Sequence, residues 1–364
     1  MILNIRRALA LPLLALTTLA SAAEKPRIEV EEWTMSNGMK WLLYERHDAP
    51  TVATGWVARV GSANERPGIT GISHFFEHMM FKGTSVIGTK DIALDLKLID
   101  EQEQVRNDMR DEMAKMRDSL RRGEIASMDD PAAKTARYKE LEAKFDALVL
   151  KQRENIIKDQ MDQIYTKNGG EFLNATTNED STIYFMRLPK NKLELWAWME
   201  SDRLLNPVFR EFYSERDVVF EERRLRTEST PLGKFDEQFS AMFWDAHPYG
   251  WPVVGWASDL PMYTLQQAKE YFATYYAPNN ITGVLVGDFK TAEVKPLLER
   301  YFGRLKRAPV APEVVTLEPK SLGEKRFYAE AETSPTVRVW WQGVPVVHKD
   351  YAALDLMTDV LSGR

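Results

Sequence analysis

Gly71-Ile72-Ser73-His74-Phe75-Phe76-Glu77-His78-Met79-Met80-Phe81-Lys82-Gly83-Thr84 decides how this chain is read. His74 and His78 are four residues apart, so on an α-helix they stand one turn above each other, rotated by about 40°. Both imidazoles then reach one metal ion without bending the backbone. Glu77 follows His74 by three positions and adjoins His78, near the same face, where it can touch a water. Two neutral nitrogen ligands, a neighbouring carboxylate and room for water are what zinc-assisted hydrolysis requires. A single histidine on an apolar helix is ordinarily a packed or surface residue. Here the chain has five histidines, and two of them fall at ligand spacing with a glutamate between. Phe75, Phe76, Met79, Met80 and Phe81 add an apolar wall, which predicts a buried helix.

Working outward, the first residues read as a processing signal. Arg6 and Arg7 form a positive start, Ala8 to Leu19 is an apolar run short for a bilayer, and Ala20-Ser21-Ala22 or Ser21-Ala22-Ala23 is a small-residue cleavage site. A signal peptide over residues 1–23 implies export to a periplasm, or secretion; an uncleaved anchor is the other reading. The chain contains no cysteine. An exported protein of this kind relies on its core instead of disulfides, and thiolate ligands and thiol nucleophiles are excluded. Removing residues 1–23 takes away two arginines and no acids, which moves the formal charge from −6 to −8. Mild acidity argues against nucleic acid and against an anionic membrane surface as partners. With 44% hydrophobic residues and ten tryptophans, the chain is long enough for two ordered domains.

Met39–Glu45 and Val52–Val60 read as strands across a His47-Asp48-Ala49-Pro50 turn. From about residue 95 to 165 the chain is densely charged, with Leu98, Val105, Met109, Met113, Met116 and Leu120 at helical steps. Gly123 and Asp129-Asp130-Pro131 break the run, and Tyr138, Leu141, Phe145 and Leu148 resume it. This predicts a self-contained antiparallel helical hairpin projecting from the body, its charges a solvated face or a docking surface. Phe172–Thr177 and Thr182–Leu188 read as a β-hairpin. Helices follow over Lys192–Leu205, from Ser214 (a plausible N-cap) past Glu222, over Thr264–Tyr275 and over Ala292–Phe302, with a strand at Asn280–Val286. Pro309–Gly323 reads as a linker, Arg326–Val344 as a new strand pair and Tyr351–Leu361 as a helix. The expected domains are therefore 24–308 with the insertion at 95–165, a linker at 309–323, and an incomplete second unit at 324–364.

Two histidines need a third protein ligand if one position is to stay open for water. The acid-rich segment Ser214-Glu215-Arg216-Asp217-Val218-Val219-Phe220-Glu221-Glu222 is its best source. In combination, Gly71-to-Thr84, Gly169-Gly170-Glu171-Phe172-Leu173-Asn174-Ala175-Thr176-Thr177, Glu215 to Glu222, His247-Pro248-Tyr249-Gly250, Tyr276-Ala277-Pro278-Asn279-Asn280 and Val286-Gly287-Asp288-Phe289 carry a resemblance. The chain resembles the pitrilysin/insulinase family of zinc peptidases, which carry the H-x-x-E-H order of the inverzincins. The resemblance covers about residues 28–364 apart from the helical insertion.

The resemblance implies an α/β (α+β) fold of repeated two-layer sheet-plus-helix domains, of the pitrilysin/mitochondrial processing peptidase type. It implies one zinc ion on His74, His78 and Glu222, with Glu77 as general base and Glu215 supporting the site from two helical turns earlier. Glu215 and Glu222, seven apart, share one helix face within about 20°, whereas Glu221 is turned about 100° away. Asn174 and Ala175 fall on the strand against which family members lay an extended peptide, as an edge strand permits; a turn-proximal polar residue is the other reading of Asn174. The implied activity is zinc-dependent endopeptidase cleavage of short or unfolded peptides, with a homodimer or a heterodimer with a second family member. The alternatives are a non-catalytic or partner-dependent subunit, and an interaction protein built around the hairpin. Two departures stand out: Glu222 lies 144 residues after His78, about twice the family's usual gap, and the chain ends before the family's substrate-holding Arg and Tyr motif.

Overall fold

The computed structural model describes residues 28–362 apart from positions 129 and 132. The expected leader and Asp129 of the expected break therefore lie outside the described residues.

A six-stranded mixed sheet organises the molecule. In chain order its strands are β1 (Glu31–Thr34), β2 (Lys40–Glu45), β3 (Thr51–Ala58), β4 (Glu171–Thr177), β5 (Thr182–Pro189) and β6 (Ile281–Gly287). In space they run β1-β2-β6-β3-β5-β4, with β6 parallel to β2 and the other neighbours antiparallel. Along β5 and β6 buried residues alternate with half-buried or exposed ones, as in a sheet covered on one face. The covering layer contains α1 (Ile72–Met79), α5 (Leu193–Leu205), α6 (Phe212–Arg223), α8 (Leu265–Tyr275) and α9 (Thr291–Phe302). Aromatic pairs tie the layers together. Trp41 of β2 meets Phe302 of α9 edge-on at 4.9 Å, and within the helical layer Phe75 of α1 meets Phe212 of α6 at 4.9 Å.

The remaining helices are α2 (Ile92–Arg121), α3 (Ala136–Asn155), α4 (Gln160–Lys167), α7 (Gly233–Phe243) and α10 (Tyr351–Ser362). Helices α2 and α3 are antiparallel: Gln102 donates to Gln152 at 3.0 Å near one end, and Thr135 donates to Glu112 at 2.6 Å near the other. Val105, Met109 and Leu141 form a small core between them.

The hairpin is not a detached spur, and here the sequence expectation is corrected. Arg210 and Asp95 form an ion pair at 2.7 Å with side chains 1% and 0% exposed. The same guanidinium donates to the carbonyls of Lys82, Thr84 and Ile87, in the loop that leaves α1. The Arg106 guanidinium sits 5.2 Å from the Phe145 ring centre and 4.8 Å from that of Tyr213 on α6. Residues that read as a solvated face thus pin the insertion to both helices of interest.

Two further expectations change. Ser214 lies inside α6, which starts at Phe212 behind an N-cap at Glu211 with φ 58°. Residues 326–344 form no strand among the described residues, and Val337 and Trp341 there are exposed. A strand exists by pairing, and the sheet ends at β1 without recruiting them. Helix α7 and the short edge strand β1 went unread.

Candidate metal centre

Helix α1 is held at both ends. Gly71 precedes it with φ 89°, and a side chain there would meet the Val254 carbonyl at 2.4 Å, so glycine is required. The buried Glu65 carboxylate accepts from the Gly71 and Ser73 amides at 2.6 and 2.8 Å, satisfying donors that a helix start leaves open. Phe75 and Phe76 are fully buried in the core. Their burial turns His74, Glu77 and His78 to the other side.

The structure brings His74, His78 and Glu222 together, with one donor atom from each within 4.8 Å of the others. Glu222 Oε2 lies 3.7 Å from His74 Nε2 and 3.3 Å from His78 Nε2. Donors about 2.0–2.2 Å from one tetrahedral zinc stand roughly 3.3–3.6 Å apart, so these separations fit. The orientations fit as well. Glu222 Oε2 and His74 Nδ1 are buried without a hydrogen-bond partner, so the carboxylate oxygen faces the imidazoles without bonding to them. Burial first, then the charges of His78 and Arg226, push His74 down to about 3, which keeps it neutral with a free lone pair.

A second layer of contacts orients these groups. His78 Nδ1 lies 2.9 Å from Glu215 Oε1, and the other Glu215 oxygen meets Lys82 Nζ at 2.5 Å. Burial lowers the His78 pKa, but the hydrogen bond and charge of Glu215 with the charges of Glu222 and Glu77 outweigh it, and the net shift is upward. Glu222 Oε1 pairs with Arg226 at 2.5 Å across a turn of π-helix, Arg224–Glu228, that directly follows α6. Glu221 faces away, exposed and paired with Arg224 at 2.9 Å.

Glu77 and His78 open onto a cleft of about 270 Å³, whose lining includes Asn174, Ile156, Met161 and Arg210. Asn174 belongs to β4, an edge strand whose outer side pairs with no other strand among the described residues. A bulge between Glu171 and Asn174 interrupts its inner pairing, and Phe172 there has φ 56°. Asn174 accepts from the Ala175 amide at 2.9 Å, and Ala175 is buried. Sequence reasoning passed over four residues here: Lys82, Arg226, Ile156 and Thr177, which donates to Glu77 Oε2 at 2.6 Å. Lys82 and Thr177 stood inside quoted motifs, where nothing in the spacing gave them a role; Arg226 and Ile156 lay outside every motif.

The sequence matches two family profiles: insulinase (peptidase family M16) over residues 41–109, and the peptidase M16 inactive domain over residues 263–364. It is similar to the zinc protease PqqE of Helicobacter pylori (strain ATCC 700392 / 26695), with 32% identity over 223 residues, which are 59% of this chain and 49% of that protein. Its fold is similar to the crystal structure of a protease from Helicobacter pylori, with a TM-score of 0.59 and 24% identity, over 81% of this chain and 55% of that one. It is also similar to the periplasmic protease PqqL from Escherichia coli, with a TM-score of 0.54 and 17% identity, over 80% and 25% of the two chains. The two profile matches and the zinc protease relatives together support the insulinase family, peptidase family M16. It spans about half the length of the first of these relatives (49%) and of the first of these structures (55%). Relatives in the family are zinc proteases, and the second profile describes a domain without activity, so the class is a protease or an inactive member of that family.

Proposed function

We propose that this chain is a zinc-dependent endopeptidase acting on short or unfolded peptides, with Glu77 as its general base. The observation that supports this most is the convergence of His74 Nε2, His78 Nε2 and Glu222 Oε2, with Glu77 and His78 lining a cleft that Asn174 of the edge strand also lines. His74, His78 and Glu222 would hold the ion. Zinc bound there would supply Lewis acidity, drawing electrons from the scissile carbonyl and making the attacking water more acidic.

The protein's own groups do the rest. Glu77 takes a proton from the attacking water as its oxygen adds to the carbonyl carbon, and then delivers that proton to the leaving nitrogen. Glu215, fixed by Lys82, holds the His78 ring so that Nε2 faces the site. A peptide in extended form adds to the free edge of β4 through backbone hydrogen bonds, near Asn174 and Ala175, so folded chains are excluded. A second family member, the same chain or another, closes the cleft. The basic start and small-residue cleavage site put this action outside the cytoplasm, as with the periplasmic protease PqqL.

The test is Glu77→Gln. Zinc content should stay at that of the unaltered protein, and cleavage of a quenched fluorescent peptide should fall by at least about 10²-fold. Near-normal turnover in Glu77→Gln would overturn the mechanism. A second reading, a non-catalytic or partner-dependent subunit, is favoured by the inactive-domain match over residues 263–364. It predicts a zinc-loaded protein that cleaves nothing alone and gains cleavage only with a partner chain.

A further inference from the structure

We infer that Thr177 is the positioning residue of the general base, so that the strand that seats the peptide also aims the carboxylate that activates water. This rests on the reading of Glu77 given above. The Thr177 hydroxyl donates to Glu77 Oε2 at 2.6 Å, a short bond of the charge-assisted kind. Among the described residues Glu77 Oε1 carries no hydrogen bond, so one oxygen is anchored and the other is left to take the proton. Thr177 keeps its own proton throughout.

Two features of the sequence make this hydroxyl a good anchor. A free glutamate samples many rotamers, and ordering it costs side-chain entropy. Threonine is β-branched and stiff about its first side-chain torsion, so its hydroxyl is a fixed point once the strand is fixed. Thr177 closes β4, paired across the sheet with Thr182, which is itself fully buried and bonded to the Val60 carbonyl at 2.9 Å. Residues 173, 175 and 177 share one face by the two-residue period of a strand, the face turned to α1, while 174 and 176 are exposed on the other. The same seven-residue strand therefore presents Asn174 to the cleft and Thr177 to Glu77. A peptide seated on β4 is placed relative to the base by one piece of backbone.

The experiment compares Thr177→Val, which keeps the shape and loses the hydroxyl, with Thr177→Ser, which restores it. Each is made in the zinc-loaded full chain. Zinc affinity is read by chelator competition, thermal unfolding without zinc by circular dichroism, and kcat and KM with a quenched fluorescent peptide. Thr177→Val should lower kcat by about 10- to 100-fold, with KM, zinc affinity and unfolding unchanged, and Thr177→Ser should recover most of the loss. In a Glu77→Gln background Thr177→Val should lower the residual rate no further. A Thr177→Val protein with kcat within twofold of the unaltered protein overturns the proposal while leaving Glu77 intact as base. So does a Thr177→Val protein that loses zinc affinity or unfolds early while Thr177→Ser does not restore kcat. If Glu77→Gln itself keeps full turnover, the underlying reading fails first, and independently of Thr177.

Discussion

Helix α1 and the α2–α3 hairpin teach opposite lessons about how function is written into a chain. Helix α1 is eight residues long, sits in the core and carries two donors and a carboxylate within five consecutive positions. Its chemistry is local. The hairpin offers thirty residues in α2 and twenty in α3, nearly half of them charged, and no motif of its own. Its contribution is relational: Asp95 reaches the loop leaving α1 through Arg210, and Arg106 and Glu103 reach α6 through Tyr213. The helices that carry His74, His78 and Glu222 are both braced from the insertion.

Excising residues 102–160 is the bluntest way to break that comparison. The cut removes Gln152, Asn155 and Gln160, which bond Asp95, the Thr89–Asp91 turn and the Gly88 amide. We expect loss of the cooperative unfolding transition and of zinc binding, read by circular dichroism and metal analysis. A folded, zinc-loaded remainder would mean that the hairpin is as independent as its sequence suggests.

A sharper test leaves the hairpin in place. Asp95→Ala strands the buried Arg210 without its anion, and should destabilise by about 3–5 kcal/mol in urea unfolding. Asp118→Ala in the same helix removes an exposed partner of Arg121, and should cost under about 1 kcal/mol. Equal costs for the two would place the brace elsewhere.

A test by pH falls on α1 itself. Burial drives Glu65 up to about 8, against the pull of the Ser73 and Gly71 amides. This folded value stands above the ordinary carboxyl value of 4.5, so between the two the native state holds a proton that the unfolded chain has lost. This contribution to stability is complete below pH 4.5 and falls as pH rises towards 8. Glu65→Gln cannot ionise and should flatten the decline, measured by urea unfolding at about pH 5.5, 7 and 8.5. An unchanged slope would show that Glu65 does not titrate there.

What could be read in advance follows the same division. His74, Glu77 and His78 were legible because a helix converts spacing into geometry. Glu222 was legible only through family resemblance, since 144 residues separate it from His78; its seven-residue spacing from Glu215 then set it apart from Glu221. The apolar steps of the hairpin announced two helices, and they are there. That Arg106 lies against aromatic rings could not be read, because arginine on a charged helix looks the same whether it faces water or a neighbour. Ser214 misled for a related reason: its capping chemistry is local, but the chain enters α6 through a left-handed turn at Glu211 instead. The strand pair expected at 326–344 failed because alternation supplies a face but not a partner edge.

One ion held by donors from two helices far apart in sequence is the central assignment. Zinc content measured separately in Glu222→Gln and Glu221→Gln tests it most directly. The convergence of Glu222 Oε2 with the two imidazole Nε2 atoms, and the exposed pairing of Glu221 with Arg224, predict loss of zinc from Glu222→Gln and full retention in Glu221→Gln. Retention in Glu222→Gln with loss in Glu221→Gln would contradict the assignment.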